Sequence, residues 1–278
     1  MRTLISIGER GLRDADLPQA VDATCRAALA QPGHLFGASP LWSRLFLAWV
    51  DALAEPPHAA FLPAAVACEY MAAGYDLLDT ATDHAASLSP DACAHTLASS
   101  TALLDLSRQM LARLDLPHQR RTQAMAALAR AGQRARAGHA RDVALRTQPS
   151  ASEDAVLAVL GRRSGTLVAA PCHIAALLAG APWRGVALAG RFGHALGCAA
   201  QLEDDLADRD EDERSGRKTV PLLLARLYPA APEVVDATIR VMIRRFQREA
   251  ARMLTRLPGD HRRTEALWTL LPPTLRAS

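Results

Sequence analysis

The chain has 278 residues, 50% apolar and 22% charged, a composition that suits a globular protein and excludes a disordered or fibrous one. Its net charge of +3 arises from interspersed Arg, Asp and Glu, which gives no reason to expect a nucleic-acid partner. No stretch of about 20 residues is free of charge, so no spanning helix is expected, and the segment from Met1 to Gly8 is too short and polar for a signal peptide. Cys25, Cys68, Cys93, Cys172 and Cys198 are scattered, odd in number and without a C-x-x-C pair. They read as small buried residues of a reduced, cytoplasmic compartment, not as a zinc site.

Alanine and leucine dominate while β-branched residues are few, which favours helices throughout. In chain order, a charged start leads to a first helix over Asp14–Gln31, ended by Pro32-Gly33. A second, over Leu41–Leu53, has Ser39 as its expected N-cap and Pro40 at N1, and its large apolar side chains mark it as core. Pro56-Pro57 breaks the chain before a long apolar helix from Leu62 to His84. Further helices are expected over 91–114 and 119–146, the latter containing the polar patch Gly138-His139-Ala-Arg141-Asp142. After a loop at 147–150, Ser152 or Glu153 starts a helix reaching Arg163-Ser164-Gly165, and the nearly uncharged run Leu167–Ala181 reads as a central buried helix. A turn at 182–185 precedes a helix over Val186–Asp208, followed by a charged loop to Arg217, helices over 219–228 and 232–257, and a proline-punctuated tail over 258–278 with room for one short helix. No strand-like alternation, repeat or composition break is present. The expectation is an all-α fold: one domain over 1–278, a bundle of about ten helices around a central cavity.

Two acidic stripes stand out on otherwise apolar helices. Gln201, Asp204, Asp205 and Asp208 fall at i, i+3, i+4 and i+7, and so do Asp76, Asp79 and Asp83 at i, i+3 and i+7. Like charges so placed repel one another unless a cation offsets them. The second set also lies near a helix C-terminus, where the helix dipole disfavours anions. Mg²⁺ takes carboxylate oxygens together with substrate phosphates, so two facing stripes suit a metal-bound diphosphate above an apolar slot of Ala, Leu, Val and Gly. The chemistry this suggests is ionisation of a prenyl diphosphate to an allylic cation. Lys218, the chain's only lysine, stands just beyond the second stripe. Tyr70, Tyr75, Trp183 and Phe192 are candidate wall residues, with core packing the plainer alternative.

Several of these motifs resemble the class I isoprenoid synthases, in particular the polyprenyl diphosphate synthase family. Gly197-x-x-x-Gln201-x-x-Asp204-Asp205-x-x-Asp208 looks like that family's second aspartate-rich motif, and Lys218-Thr219-x-Pro221 is similar to the segment that follows it. Arg163-Ser164-Gly165 occupies the place of its K-T pair, Gly138-His139-x-x-Asp142 resembles its G-Q-x-x-D, and Glu69–Asp83 is similar to the helix ending in its first D-D-x-x-D. The resemblance covers roughly residues 35–255. It implies an isoprenoid synthase fold, commonly a homodimer, using three Mg²⁺ ions and a prenyl diphosphate of C10–C20. It implies Asp79, Asp83, Asp204, Asp205 and Asp208 as metal ligands and Arg163, Gln201 and Lys218 as diphosphate-binding residues. Asp79, Asp83, Asp204, Asp208 and Lys218 would then carry the chemistry. The departures are as informative. Thr80 stands where the first motif has its second aspartate, and Ala72 where the family has a histidine. Gly37-Ala-Ser39-Pro40 replaces G-G-K-R, and no Arg-Arg pair follows Asp83. In chain-elongating relatives those cations hold isopentenyl diphosphate, and an anion site without cations binds poorly. The favoured expectation is therefore a terpene synthase or cyclase derived from a prenyltransferase scaffold. The alternatives are prenyl transfer, either to isopentenyl diphosphate with Arg44 as a substitute cation or to another acceptor, and a non-catalytic subunit of a heteromeric prenyl synthase.

Overall fold

The computed structural model describes residues 1–55, 58–83, 87–148, 151–257 and 261–275, and among them every regular element is helical. Two compact units emerge, Met1–Leu128 with Ile174–Ala181, and Ala129–His173 with Pro182–Ser278.

The first unit is built from α1 (Arg2–Asp14), α2 (Gln19–Leu29), α3 (Leu41–Leu53), α4 (Leu62–Asp83) and α5 (Pro90–Ala112). Its centre is α4, which packs against α1, α2, α3 and α5 and is buried almost all round from Ala64 to Tyr75. A helix enclosed on every side has to be apolar nearly all round, and apart from Glu69 that is the composition seen. Alanines and Gly74 let α5 approach closely, and Ser100 donates a 2.7 Å hydrogen bond to the Gly74 carbonyl. Trp49, Phe46, Tyr70 and Leu103 are buried in this core.

The charged start is itself helical. Leu4, Gly8 and Leu12 fall at i, i+4 and i+8 and are buried, a spacing masked in the sequence by the charged residues between them. The expected helix from Asp14 begins instead at Gln19, because Asp16 adopts a left-handed φ of 47° and Pro18 takes the N-cap position. At α3 the cap is Pro40, one residue later than expected, with Ser39 at φ 57°. The expected break at Pro56-Pro57 and the helix end at His84 lie outside the described residues, as do Pro149, Ser150 and Pro258.

The second unit contains the end of α6 (His118–Arg146), then α7 (Glu153–Leu160), a π-helical turn (Gly161–Gly165) and the start of α8 (Thr166–Ala179). It continues with α9 (Trp183–Ala207), α10 (Arg209–Arg214), α11 (Val220–Leu227), α12 (Pro232–Thr255) and the single turn α13 (Glu265–Trp268). Ser152 caps α7 as expected, accepting a 3.2 Å bond from the Ala155 amide. The segment after Asp208, read as a loop, forms α10. Asp210, Glu211 and Asp212 in its first turn complement the helix dipole. α9 starts at Trp183, earlier than the expected Val186, directly after Pro182. α9 and α12 pack together around Leu202, Ile239 and Ile243, with Leu160 from α7 and Val220 and Leu224 from α11. No helix among the described residues is long and apolar enough to cross a membrane.

Candidate active site

In the second unit the end of α9 carries the second acidic stripe, and the structure divides it. Asp204 and Asp208, one turn apart, are exposed, whereas Asp205 is only 8% exposed and faces inward with Gln201. The Gln201 amide donates to Asp205 Oδ1 at 2.8 Å, and Ser164 donates to Gln201 Oε1 at 2.5 Å. The inner pair belongs to a polar network and the outer pair is presented to solvent. Among the described residues, neither outer carboxylate has a hydrogen bond or ion pair from another side chain. Burial, with Asp208 adding repulsion, raises the Asp204 pKa. Burial also pushes Asp205 up to about 7, with Asp212 and Asp204 adding repulsion while Gln201 and Arg217 oppose the shift.

Beside this helix end lies a cavity of about 50 Å³, lined by Asp142, Arg163, Ser164, Gln201, Asp205, Arg217 and Lys218. A space of this size suits a few water molecules, which fits its polar walls. Asp142, buried on α6, accepts from Arg163 at 2.8 Å and from Arg146 at 2.9 Å, both on Oδ2. Arg163 thus lines the cavity with its guanidinium held by an acid. It projects from the π-helical turn, where Gly138 of α6 comes so close that a Cβ would lie 2.9 Å from the Arg162 Cβ. Lys218 is half-buried at the cavity, just before α11, and has no acidic partner among the described residues. Asp212 is 3% exposed and accepts from Arg217 at 3.3 Å. Burial raises its pKa against the pull of Arg217.

In the first unit Asp76, Asp79 and Asp83 end α4. The structure reveals a group there that the sequence reading passed over. His34, in the loop between α2 and α3, is 6% exposed and sits 2.7 Å from Asp76 through Nε2. Its Nδ1 lies 3.9 Å from Oε2 of Glu69, a fully buried carboxylate. Glu69 Oε1 accepts a 2.7 Å bond from the Ser43 amide in the first turn of α3, while burial raises its pKa. The available signal was Glu69 itself, the single charge between Leu62 and Tyr75. Thr80, in place of the expected aspartate, turns its hydroxyl back to the Asp76 carbonyl at 2.8 Å. The loop from Gln31 to Pro40 contains no Lys or Arg, and Arg44 on α3 is exposed. Tyr70, Tyr75 and Phe192 are buried, whereas Trp183 is 83% exposed and does not wall a pocket.

Among the described residues no three His, Cys, Asp or Glu side chains converge as a ready-made metal centre. Mg²⁺ is commonly held by one or two carboxylates with phosphates and waters completing the shell, so the unpartnered Asp204–Asp208 pair fits such an ion.

Residues 92–221 match the family model described as polyprenyl synthetase. No curated protein matches the chain. Solved structures do. A geranylgeranyl pyrophosphate synthetase from the archaeon Geoglobus acetivorans aligns with TM-score 0.83 at 18% identity, covering 97% of this chain and 96% of that one. A polyprenyl synthase from Caulobacter crescentus CB15, complexed with calcium and isoprenyl diphosphate, aligns with TM-score 0.78 at 19% identity, covering 97% and 93%. A geranylgeranyl pyrophosphate synthase from Corynebacterium glutamicum, complexed with isoprenyl diphosphate and magnesium, gives 0.76 at 18%, covering 97% and 96%.

Proposed function

For a chain of class I isoprenoid synthase type, polyprenyl-synthetase-like in sequence and fold, we propose Mg²⁺-dependent ionisation of an allylic prenyl diphosphate of C10–C20, as a terpene synthase or cyclase. Bound Mg²⁺ supplies positive charge to a departing diphosphate. Asp204 and Asp208 would hold one ion, and Asp205 and Gln201 would meet it through water. Asp79 and Asp83 of α4 would hold the remaining ions. Lys218 meets the diphosphate as a point charge and Arg163 as a planar fork, once it exchanges Asp142 for phosphate. The single-domain reading belongs to the same proposal, supported by a chain that passes three times between the two units. So does a homodimer.

One observation carries the preference for ionisation over elongation. The loop from Gln31 to Pro40 lacks a cation, and its one titratable base, His34, is turned inward between Glu69 and Asp76. A second diphosphate finds no guanidinium or ammonium there. The geranylgeranyl synthases among the solved relatives keep elongation as the second reading.

The test is incubation with Mg²⁺ and geranyl, farnesyl or geranylgeranyl diphosphate, with and without isopentenyl diphosphate. A hydrocarbon or alcohol from a single allylic substrate is expected. A longer diphosphate formed only with isopentenyl diphosphate would establish elongation instead. Asp204→Ala and Asp79→Ala should each lower turnover by about 100-fold or more while circular dichroism stays unchanged. Full activity in both variants would sink the metal assignment.

A further inference from the structure

The solvent face of α12 is unlike its packed face. Ile239, Ile243, Ala250 and Met253 turn inward. On the other side Arg240, Arg244, Arg248 and Arg252 follow one another at i+4 intervals, with Arg245 beside them, and all five are exposed. None has an acidic partner among the described residues. The stripe runs about 18 Å along the helix. Like charges at i+4 spacing weaken a helix, so the row is unfavourable until an anion faces it. Two large apolar residues share the face, Val234 at 46% and Val241 at 57% exposure, and Leu227 and Tyr228 are exposed in the segment leading into α12.

The same face carries a cavity remote in sequence from the acidic motifs. Arg248, Arg252 and Thr255 of α12 line it together with Trp268 and Leu275 from the C-terminal segment, and it encloses about 270 Å³. Two guanidinia supply charge for a phosphate, and the indole and leucine side chains supply apolar surface for what is attached to it. A polyanion such as DNA would match the arginines but not the exposed valines or the Trp268 and Leu275 walls. A second copy meeting this face across a two-fold axis would set arginines against arginines.

We propose that α12 is a docking face for an anionic phospholipid bilayer, with one lipid headgroup entering the cavity beside Trp268. The arginine row meets the headgroup phosphates, and Val234 and Val241 reach the interface below them. This proposal does not depend on the reaction assigned to the acidic motifs.

The experiment is co-sedimentation of the full chain with vesicles of phosphatidylcholine alone and of phosphatidylcholine with about 30% phosphatidylglycerol, at about 0.1 M salt. Binding to the anionic vesicles only is expected, and it should be lost as salt rises. Arg244→Gln with Arg248→Gln should weaken that binding about thirtyfold, at about fivefold per charge, with an unchanged circular dichroism spectrum. Val241→Asp should weaken it without altering the arginines. Absence of sedimentation, equal binding to both vesicle types, or equal binding by wild type and the double variant would overturn the proposal. Duplex DNA that releases the protein from the vesicles with the same arginine dependence would overturn it too.

Discussion

At the scale of single residues, buried carboxylates divide by whether a partner offsets them. Asp142 has two arginines, whereas Glu69 has one backbone amide and a histidine nitrogen 3.9 Å away. Burial raises the Glu69 pKa above that of an ordinary carboxyl group. The folded state therefore holds this proton at a pH where the unfolded chain has released it, and stability falls as pH rises through that window. Glu69→Gln keeps the bond from Ser43 and removes the buried charge. It should stabilise the protein on the order of 1 kcal/mol at pH 8, a few degrees in Tm, with the difference shrinking towards pH 4. Thermal melts of both proteins across that range check the sign. The exposed acids were legible in the sequence because their helical spacing is a simple pattern. The pairing of His34 with Glu69 and Asp76 was not, because it joins residues 35 and 42 positions apart through tertiary packing that no local spacing encodes.

At the scale of elements, the glycines of α9 set how closely its neighbours approach. A Cβ on Gly197 would lie 2.4 Å from the Ser164 carbonyl and 2.9 Å from the Val168 side chain, and one on Gly193 would lie 2.5 Å from the Val168 carbonyl. That closeness brings Gln201 within reach of Ser164 and holds the π-helical turn bearing Arg163 against α9. Gly197→Ala gains helix propensity of up to about 1 kcal/mol but forces the turn to shift. We expect a net loss of about 1–2 kcal/mol, read by urea denaturation, together with a weakened apparent affinity for diphosphate. Alanine in its place would be harmless if α9 stood alone. Most helices were visible in the sequence from apolar periodicity and caps, as at Leu41–Leu53 and Ser152. Two were missed for one reason. In α1 and α10 charged residues are so dense that they hide the periodicity or replace it, and the helix rests on dipole complementarity or on three apolar contacts.

At the scale of the whole molecule, the all-helical character was legible because composition alone removes strands, and the matched solved structures share the fold over nearly the whole chain. Less legible was the split of the second acidic stripe into an outward pair and an inward pair. A helical wheel gives directions around one axis, and only the packing of the π-helical turn and α11 decides which direction is inside. Arginine serves as the cation everywhere except at position 218, and this has a practical consequence. The molecule offers one side-chain amine to acylating reagents, at the mouth of the polar cavity. Covalent modification with an amine-reactive ester, read by peptide mass spectrometry at Lys218 and separately from the α-amine of Met1, therefore becomes a footprint of a single side chain. Saturating diphosphate with Mg²⁺ should slow acylation of Lys218 at least about tenfold if the ammonium is engaged, since only the free amine reacts. An unchanged rate would place the ligand elsewhere, and the α-amine of Met1, acylated in the same tube, gives the reference rate against which protection of Lys218 is read.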